Sequence, residues 1–343
     1  MTAPGSWTGA RGDSLNRAAV STGPGNGLQS LWTADSIHSA RLTLYGDTLY
    51  AAGGTSPGSL VTFDAATGKQ KWEKRLGATV TPPGSGALGV YVSEFRAAVL
   101  AFRPDGTELW RLAIKGETPP LVTAEMVVVG DSAGSVHALH PETGKSLWST
   151  PLGQGGFSSR VPPSLYNGSL FLATASQVVA LDAATGTIRY TIAHGSANGV
   201  VVDNGFLYLT EGEKLYAFDP ATGRELWATA LGKPVYRPIA AAKGLVIVPT
   251  QDARLQAVDG VTGKVVWTAV LDTYGSAYGS PAVAGDLVYM GAYGGGLKLF
   301  KLQTGEAAGV LLPGVRVPET PVITDSHLYA AGDQRGLHAL KKP

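Results

Sequence analysis

Apolar and polar positions alternate along this chain in short bursts, each too brief for a helix and each closed by a turn. Leu215-Tyr216-Ala217-Phe218 alternates and is rich in aromatics, as a half-buried strand should be. Asp219 follows, able to accept hydrogen bonds from amides two or three residues on and to close a turn over Pro220 and Ala221. Gly223 supplies the positive φ that returns the chain, and Leu226-Trp227 begins the next strand. The stretch predicts a β-hairpin that ends in a large aromatic. No segment has helical periodicity long enough for a domain of its own.

The hairpin recurs. Asp64-Ala65-Ala66-Thr67-Gly68 leads to Trp72, and His140-Pro141-Glu142-Thr143-Gly144 leads to Trp148. Asp182-Ala183-Ala184-Thr185-Gly186 leads to Tyr190, and Asp259-Gly260-Val261-Thr262-Gly263 leads to Trp267. A shortened form, Arg103-Pro104-Asp105-Gly106, leads to Trp110; a worn form, Lys301-Leu302-Gln303-Thr304-Gly305, has Gly309 where the aromatic should stand. The turn glycines Gly68, Gly106, Gly144, Gly186, Gly223, Gly263 and Gly305 are spaced by 38, 38, 42, 37, 40 and 42 residues. A period of about 40 with several short strands per unit predicts a propeller or a similar radial array. Each unit parses as four strands. In the sixth these are 235–240, 245–250, 254–259 and 265–268, with turns at Lys243-Gly244 and Asp252-Ala253.

The two ends share a unit. Gly336-Leu337-His338-Ala339-Leu340 reads as a third strand with no hairpin partner after it, while Asn26 to Trp32 carries the glycine, leucine and tryptophan with nothing before it to pair. The N-terminal strand is therefore expected to complete the C-terminal blade. Seven full hairpins and one shared hairpin give an all-β, eight-bladed β-propeller of four-stranded antiparallel blades, and a closed ring limits exposed edges. Residues 1–25 read as a polar, Gly/Pro/Ser-rich lead-in with no strand pattern, in which Trp7 is a candidate to pack on the blades; residues 26–343 form a single domain.

The repeated Ala-x-Asp-x-x-Thr-Gly-x-x-x-Trp pattern resembles the PQQ-like repeat of eight-bladed β-propellers, a family that includes the quinoprotein alcohol dehydrogenases and the β-barrel assembly lipoprotein BamB. The opening, Trp7 followed by Arg11-Gly12-Asp13 and Asn16, is similar to the lead-in of bacterial extracellular propellers, among them sensor domains. The resemblance covers residues 7–341 and speaks to fold more than to function, because the motif builds blades. It implies that Trp32, Trp72, Trp110, Trp148, Trp227 and Trp267, with Tyr190 in the equivalent place, pack between neighbouring blades. It also implies an exported domain, periplasmic or extracellular, with a cytoplasmic protein as the alternative.

Composition narrows the function classes. With 27 Lys and Arg against 26 Asp and Glu, there is no basic excess for nucleic acid or an anionic membrane. Cysteine is absent, and with it any disulfide, thiolate metal site or catalytic thiol. No apolar run reaches membrane-spanning length, and Met1 is not followed by a signal pattern, so any signal or anchor is expected to lie outside this chain. The six histidines show no metal-ligand spacing, His137 and His338 simply holding matching places in two third strands, and no Asp-x-Asp-x-Asp-Gly calcium loop is present.

Several fragments mimic functional motifs. Gly130-Asp131-Ser132-Ala133-Gly134 matches the Gly-x-Ser-x-Gly elbow, but falls in a strand-to-strand turn where the elbow needs a strand-to-helix turn. Gly53-Gly54-Thr55-Ser56-Pro57-Gly58 lacks the spacing and helix of a phosphate loop. Asn167-Gly168-Ser169 fits a glycosylation sequon, yet sits where each unit turns between its first two strands. Arg11-Gly12-Asp13 belongs to the lead-in rather than to an integrin ligand.

The first strand of each unit is expected to be innermost, with the loop before it and the loop between second and third strands on one face. That alignment puts Arg41, Arg160, Arg237 and Arg316 near the starts of inner strands, accompanied by Tyr236 and Tyr278. Arginine offers a planar fork for carboxylate or phosphate and tyrosine a stacking face, so PQQ or a similar anion would suit this funnel. Glu94, Asp131, Glu211, Asp252 and Asp333 come from loops on the same face and can pair with those arginines instead. In the dehydrogenases the resemblance places PQQ beside calcium and a disulfide of adjacent cysteines. This chain has no cysteine, and no residue matches the family's calcium ligands or catalytic aspartate. The reading is a non-catalytic, monomeric propeller without cofactor or metal, a scaffold or recognition module for other proteins of the bacterial cell envelope. The alternative is a receptor or sensor domain binding PQQ or a similar anion in the funnel; a PQQ-dependent dehydrogenase comes third.

Overall fold

Val, Leu and Ala dominate the second and third strands of every repeat, and those strands are buried on both faces, as in Leu245–Thr250 and Ala98–Phe102. The fourth strands alternate instead, as in Ser146–Pro151 and Glu225–Ala230, because only one face meets a neighbouring sheet. A computed structural model describes residues 6–343 except 10, 54–57, 78–80, 154–156, 158–160, 175, 196–197, 272–278 and 335. Its strands form eight sheets, each of four antiparallel strands and one of them extended by a short parallel fifth, with no helix among the described residues. The protein is an eight-bladed β-propeller.

Two compact units hold the blades, Met1–Asn16 with Arg41–Val200, and Arg17–Ala40 with Val201–Pro343. In the first, blade one comprises Arg41–Tyr45, Thr48–Gly53, Gly58–Asp64 and Gln70–Leu76, and blades two to four follow with the same order. In the second, blade six comprises Ala240–Ala242, Leu245–Thr250, Arg254–Asp259 and Val265–Val270. Its two middle strands match the sequence expectation residue for residue. Its first strand is shorter than expected, starting only after Pro238, which has no N–H for a ladder. Blade eight takes Val322–Ile323, His327–Ala331 and Leu337–Lys341 from the C-terminal region and Gln29–Ala34 from the N-terminal one; Trp32 lies opposite Ala339 and Thr33 opposite His338. The N-terminal strand thus completes the C-terminal blade.

In six of the eight blades the first and second strands join by two-residue turns. Asn167-Gly168 and Lys243-Gly244 hold positive φ at both residues (46° and 73°, 50° and 80°), the conformation that follows strand twist. Asn167-Gly168-Ser169 is accordingly a turn, and Gly130 to Gly134 likewise links two strands.

Every blade also slips register by one residue just ahead of its aromatic position, for example between Ala257 and Val258 opposite Trp267. This bulge re-aims the following side chain. Trp72, Trp110 and Trp148 in the first unit, and Trp227 and Trp267 in the second, then reach the hairpin turn of the next blade. Their Nε1 groups donate to the carbonyls of Pro104, Pro141, Ala183, Gly260 and Leu302 at 2.8–3.2 Å. The indoles lie on the next turn glycine, at φ near 70°: a Cβ on Gly186 would stand 2.5 Å from Trp148, and one on Gly305 2.6 Å from Trp267. Between the blades lies the core, such as the cluster of Tyr50, Leu60, Leu76, Val90, Val92, Leu100 and Phe102 shared by blades one and two.

The lead-in, which showed no strand pattern in the sequence, is bound along first strands. In the first unit, Trp7 exchanges both backbone hydrogen bonds with Leu44, Thr8 O accepts from Ser85 N, and Ser14 O accepts from Leu165 N. Asn16 donates Nδ2 to Pro162 O and Ser164 Oγ at 2.7 Å. In the second unit, Arg17 O accepts from Ala241 N and Ala18 O from Val283 N, and Ala19–Val20 forms a short parallel strand on Val283–Ala284. Trp7 and Arg11 are 1% and 2% exposed, so Arg11-Gly12-Asp13 is part of the core rather than a displayed ligand.

Candidate interaction surface

At the starts of the first strands, where the lead-in does not run, each unit gathers charged and aromatic side chains. The loop before a first strand and the loop between second and third strands do meet here. In the first unit, Glu94, at the end of the second strand of blade two, is buried and accepts from Gly77 N at 2.6 Å and from Arg111 at 3.4 Å. Glu117, before the first strand of blade three, is buried too. Its Oε1 accepts from Arg96 of blade two at 3.0 Å and its Oε2 from the amide of Phe157, ahead of blade four. One carboxylate therefore ties three consecutive blades. The Arg96 guanidinium also lies 5.0 Å from the ring centre of Phe95. Arg41 begins the first strand of blade one.

In the second unit, Arg316 pairs with Asp333 at 3.1 Å, and Asp333 N donates to Arg316 O. The guanidinium stands 5.8 Å from the ring centre of Tyr293, which is 48% exposed. Tyr236, 60% exposed, and Arg237 precede the first strand of blade six. Arg160 and Tyr278 lie outside the described residues.

The acids expected to face the arginines divide. Asp333 pairs with the expected Arg316, whereas Asp252 pairs with Arg254 at 3.1 Å and Asp131 with His137 at 2.8 Å. His137 Nδ1 is also 3.1 Å from Ser149 Oγ, directly across the ladder. This Ser–His–Asp chain ties the outer strand of blade three to a turn, where Asp131 Oδ1 accepts from the amides of Ala133 and Ser135. Glu117, Arg96, Phe95 and Tyr293 escaped the sequence reading. The equivalence of the loop after each second strand with the loop leading into the next blade was the signal that could have found them.

The turns on the other side of the repeat are acidic for a structural reason. Asp182 accepts from Arg189, from Thr185 Oγ1 and from two amides, and the guanidinium first, then the threonine, holds its carboxyl down at about 2. Thr262 likewise lowers Asp259, and Thr67 lowers Asp64. Among the described residues no group of three or more His, Asp or Glu side chains converges as metal ligands do. The chain has no cysteine, so the adjacent-cysteine disulfide of a quinoprotein dehydrogenase has no counterpart in it.

Eight repeats, five of which lay an indole on the turn glycine of the next blade, define a PQQ-like β-propeller. The chain belongs to the family described as outer membrane protein assembly factor BamB, whose model matches residues 20–93, 95–197 and 175–342. It is 33% identical over 129 residues to the outer membrane protein assembly factor BamB of Burkholderia pseudomallei (strain K96243), covering 35% of this chain and 33% of that protein. The matches to three such curated relatives span 33%, 44% and 52% of their lengths, from a third to about half. The crystal structure of BamB from Moraxella catarrhalis superposes with a TM-score of 0.75 at 16% identity, over 92% of this chain and 99% of that one. A europium-containing methanol dehydrogenase superposes with a TM-score of 0.80 at 14% identity, over 99% and 98%. At such identities both show the fold alone.

Proposed function

We propose that this protein is a non-catalytic scaffold of the bacterial cell envelope that holds other proteins during outer-membrane protein assembly. The observation that carries this reading is the match of three stretches, together spanning most of the chain, to the assembly-factor family. Each unit offers its own docking end, with Phe95 and Arg96 in the first and Tyr236, Tyr293 and Arg316 in the second. Arginine and tyrosine on loops over a rigid framework are the residue types that dominate binding energy at protein interfaces. Here the ion pairs fix the arginines in place, Arg96 on Glu117 and Arg316 on Asp333.

Complementation tests the reading. Expressed with an export signal in a strain lacking its own assembly factor, the protein restores outer-membrane protein levels, and Tyr236→Ala with Tyr293→Ala lowers that rescue at unchanged protein abundance. No rescue by an exported, folded protein would overturn the scaffold role. A second reading, capture of a planar anion, is favoured by the exposed Tyr236 beside Arg237. Calorimetric titration with PQQ, with and without calcium, separates the two: saturable binding lost in Arg237→Ala supports the receptor, and no heat supports the scaffold.

A further inference from the structure

Outer strands of a propeller present a free edge, and most here are guarded. Gln70–Leu76 carries Lys71, Glu73, Lys74 and Arg75; Glu108–Leu112 carries two charges; Ser146–Pro151 ends on proline; Ile188–Ile192 holds Arg189 and Glu225–Ala230 holds Glu225. Charges and proline on an edge are the usual protection against pairing with another chain. Val265–Val270 of blade six has neither. Its sequence, Val-Val-Trp-Thr-Ala-Val, is strongly β-prone and uncharged, and Val265, Val266 and Val270 are 45%, 50% and 57% exposed. The uncharged strands Gln29–Ala34 and Ala307–Leu311 do not match it: the first has no large apolar side chain as exposed as these, and the second contains Gly309.

We propose that this edge pairs antiparallel with the same edge of a second copy of the chain, about a two-fold axis at Thr268. The occupant follows from the strand's own pattern. Val266, Thr268 and Val270 form its exposed series, while Trp267 turns inward at 8% exposure. Under that axis Val266 of each copy faces Val270 of the other, and the two threonines face each other. These are favourable cross-strand pairs, with no charge brought against its like. Self-pairing of Gln70–Leu76 would instead crowd several charges together. Two six-residue strands bury less than the roughly 1,000 Å² that a stable interface clears, so the dimer is weak and concentration-dependent. It replaces the monomer expected from sequence and is independent of the docking ends assigned above.

Sedimentation velocity over a wide concentration range tests it. The weight-average mass of the unaltered protein rises toward twice the monomer, Val266→Lys alone and Val270→Glu alone each stay monomeric, and mixing the two variants restores a dimer. Circular dichroism verifies that each variant is folded; should either fail to fold, Thr268→Lys, at an exposed position, takes its place as the monomeric variant. A protein that stays monomeric at every concentration overturns the proposal. So does a dimer that persists in the folded variants.

Discussion

Two neighbouring joins in the second unit meet one packing problem differently. Between blades six and seven, Trp267 lies on Gly305 and donates to Leu302 O. Between blades seven and eight, the place of the tryptophan is taken by Gly309 at φ 135°, with nothing within 4 Å of where its Cβ would be. Blade eight draws its third and fourth strands from distant parts of the chain, so it has no hairpin turn and no turn glycine to receive an indole. The chain entering Gln29–Ala34 stands there instead. Tyr289 donates to Gly25 O, and Asn26 Nδ2 donates to Ala308 O, both at 2.9 Å. In blades two and five the matching Tyr91 and Tyr208 donate to the turn carbonyls of Pro141 and Gly260, so Gly25 serves as a turn carbonyl without a turn. The aromatic and the glycine of the repeat are thus partners across two blades, and where one has no counterpart the other is dispensable.

The contrast can be broken from both sides. Trp267→Ala empties the first join and is expected to cost about 3–5 kcal/mol, read as a fall in calorimetric stability. Gly305→Ala pushes a methyl into the same indole at a positive φ, costing about 2–4 kcal/mol. Gly309→Ala meets no atoms and bears only backbone strain, about 1–2 kcal/mol. Asn26→Ala removes one exposed hydrogen bond, worth about 0.5–1 kcal/mol in denaturant titration. Acid sharpens the difference last. Asp259 in the blade-six turn is held below the usual carboxylate range by Thr262, so the stability it lends is full above about pH 4 and is lost as pH falls through its lowered value. Hydrogen exchange at the Gly263 amide, which donates to Asp259 O, should quicken over that range, with no matching change at the Asn26 contact.

The repeat was legible because each hairpin writes its strand, turn and aromatic within a dozen residues, and the shared blade because two half-motifs lay unpaired at the ends. The bulge before each tryptophan was not legible: one extra residue leaves no periodic trace. Nor was the lead-in, whose bonds are made by backbone groups such as Thr8 O and Arg17 O that any residue supplies. Within the second unit, the pairing of Arg316 with Asp333 could be read from aligned repeats. The link from Arg96 to Glu117 could not, since it joins loops of successive blades rather than equivalent places within one.

The lead-in also bears on how the chain reaches this state. Ala19–Val20 and Gln29–Ala34 are made before any complete blade, yet Ala19 pairs with Val283 and Ser30 with Leu340, far later in the chain. Non-local pairing of this kind slows folding, because the chain entropy of closure is lost before the contacts form. Blades one to three can assemble as they emerge, whereas Ala19–Val20 and Gln29–Ala34 find their strand partners only once blades seven and eight exist. Refolding should therefore show a fast phase of blade formation and a slow one of closure, and a protease present between them should cut first within residues 6–34.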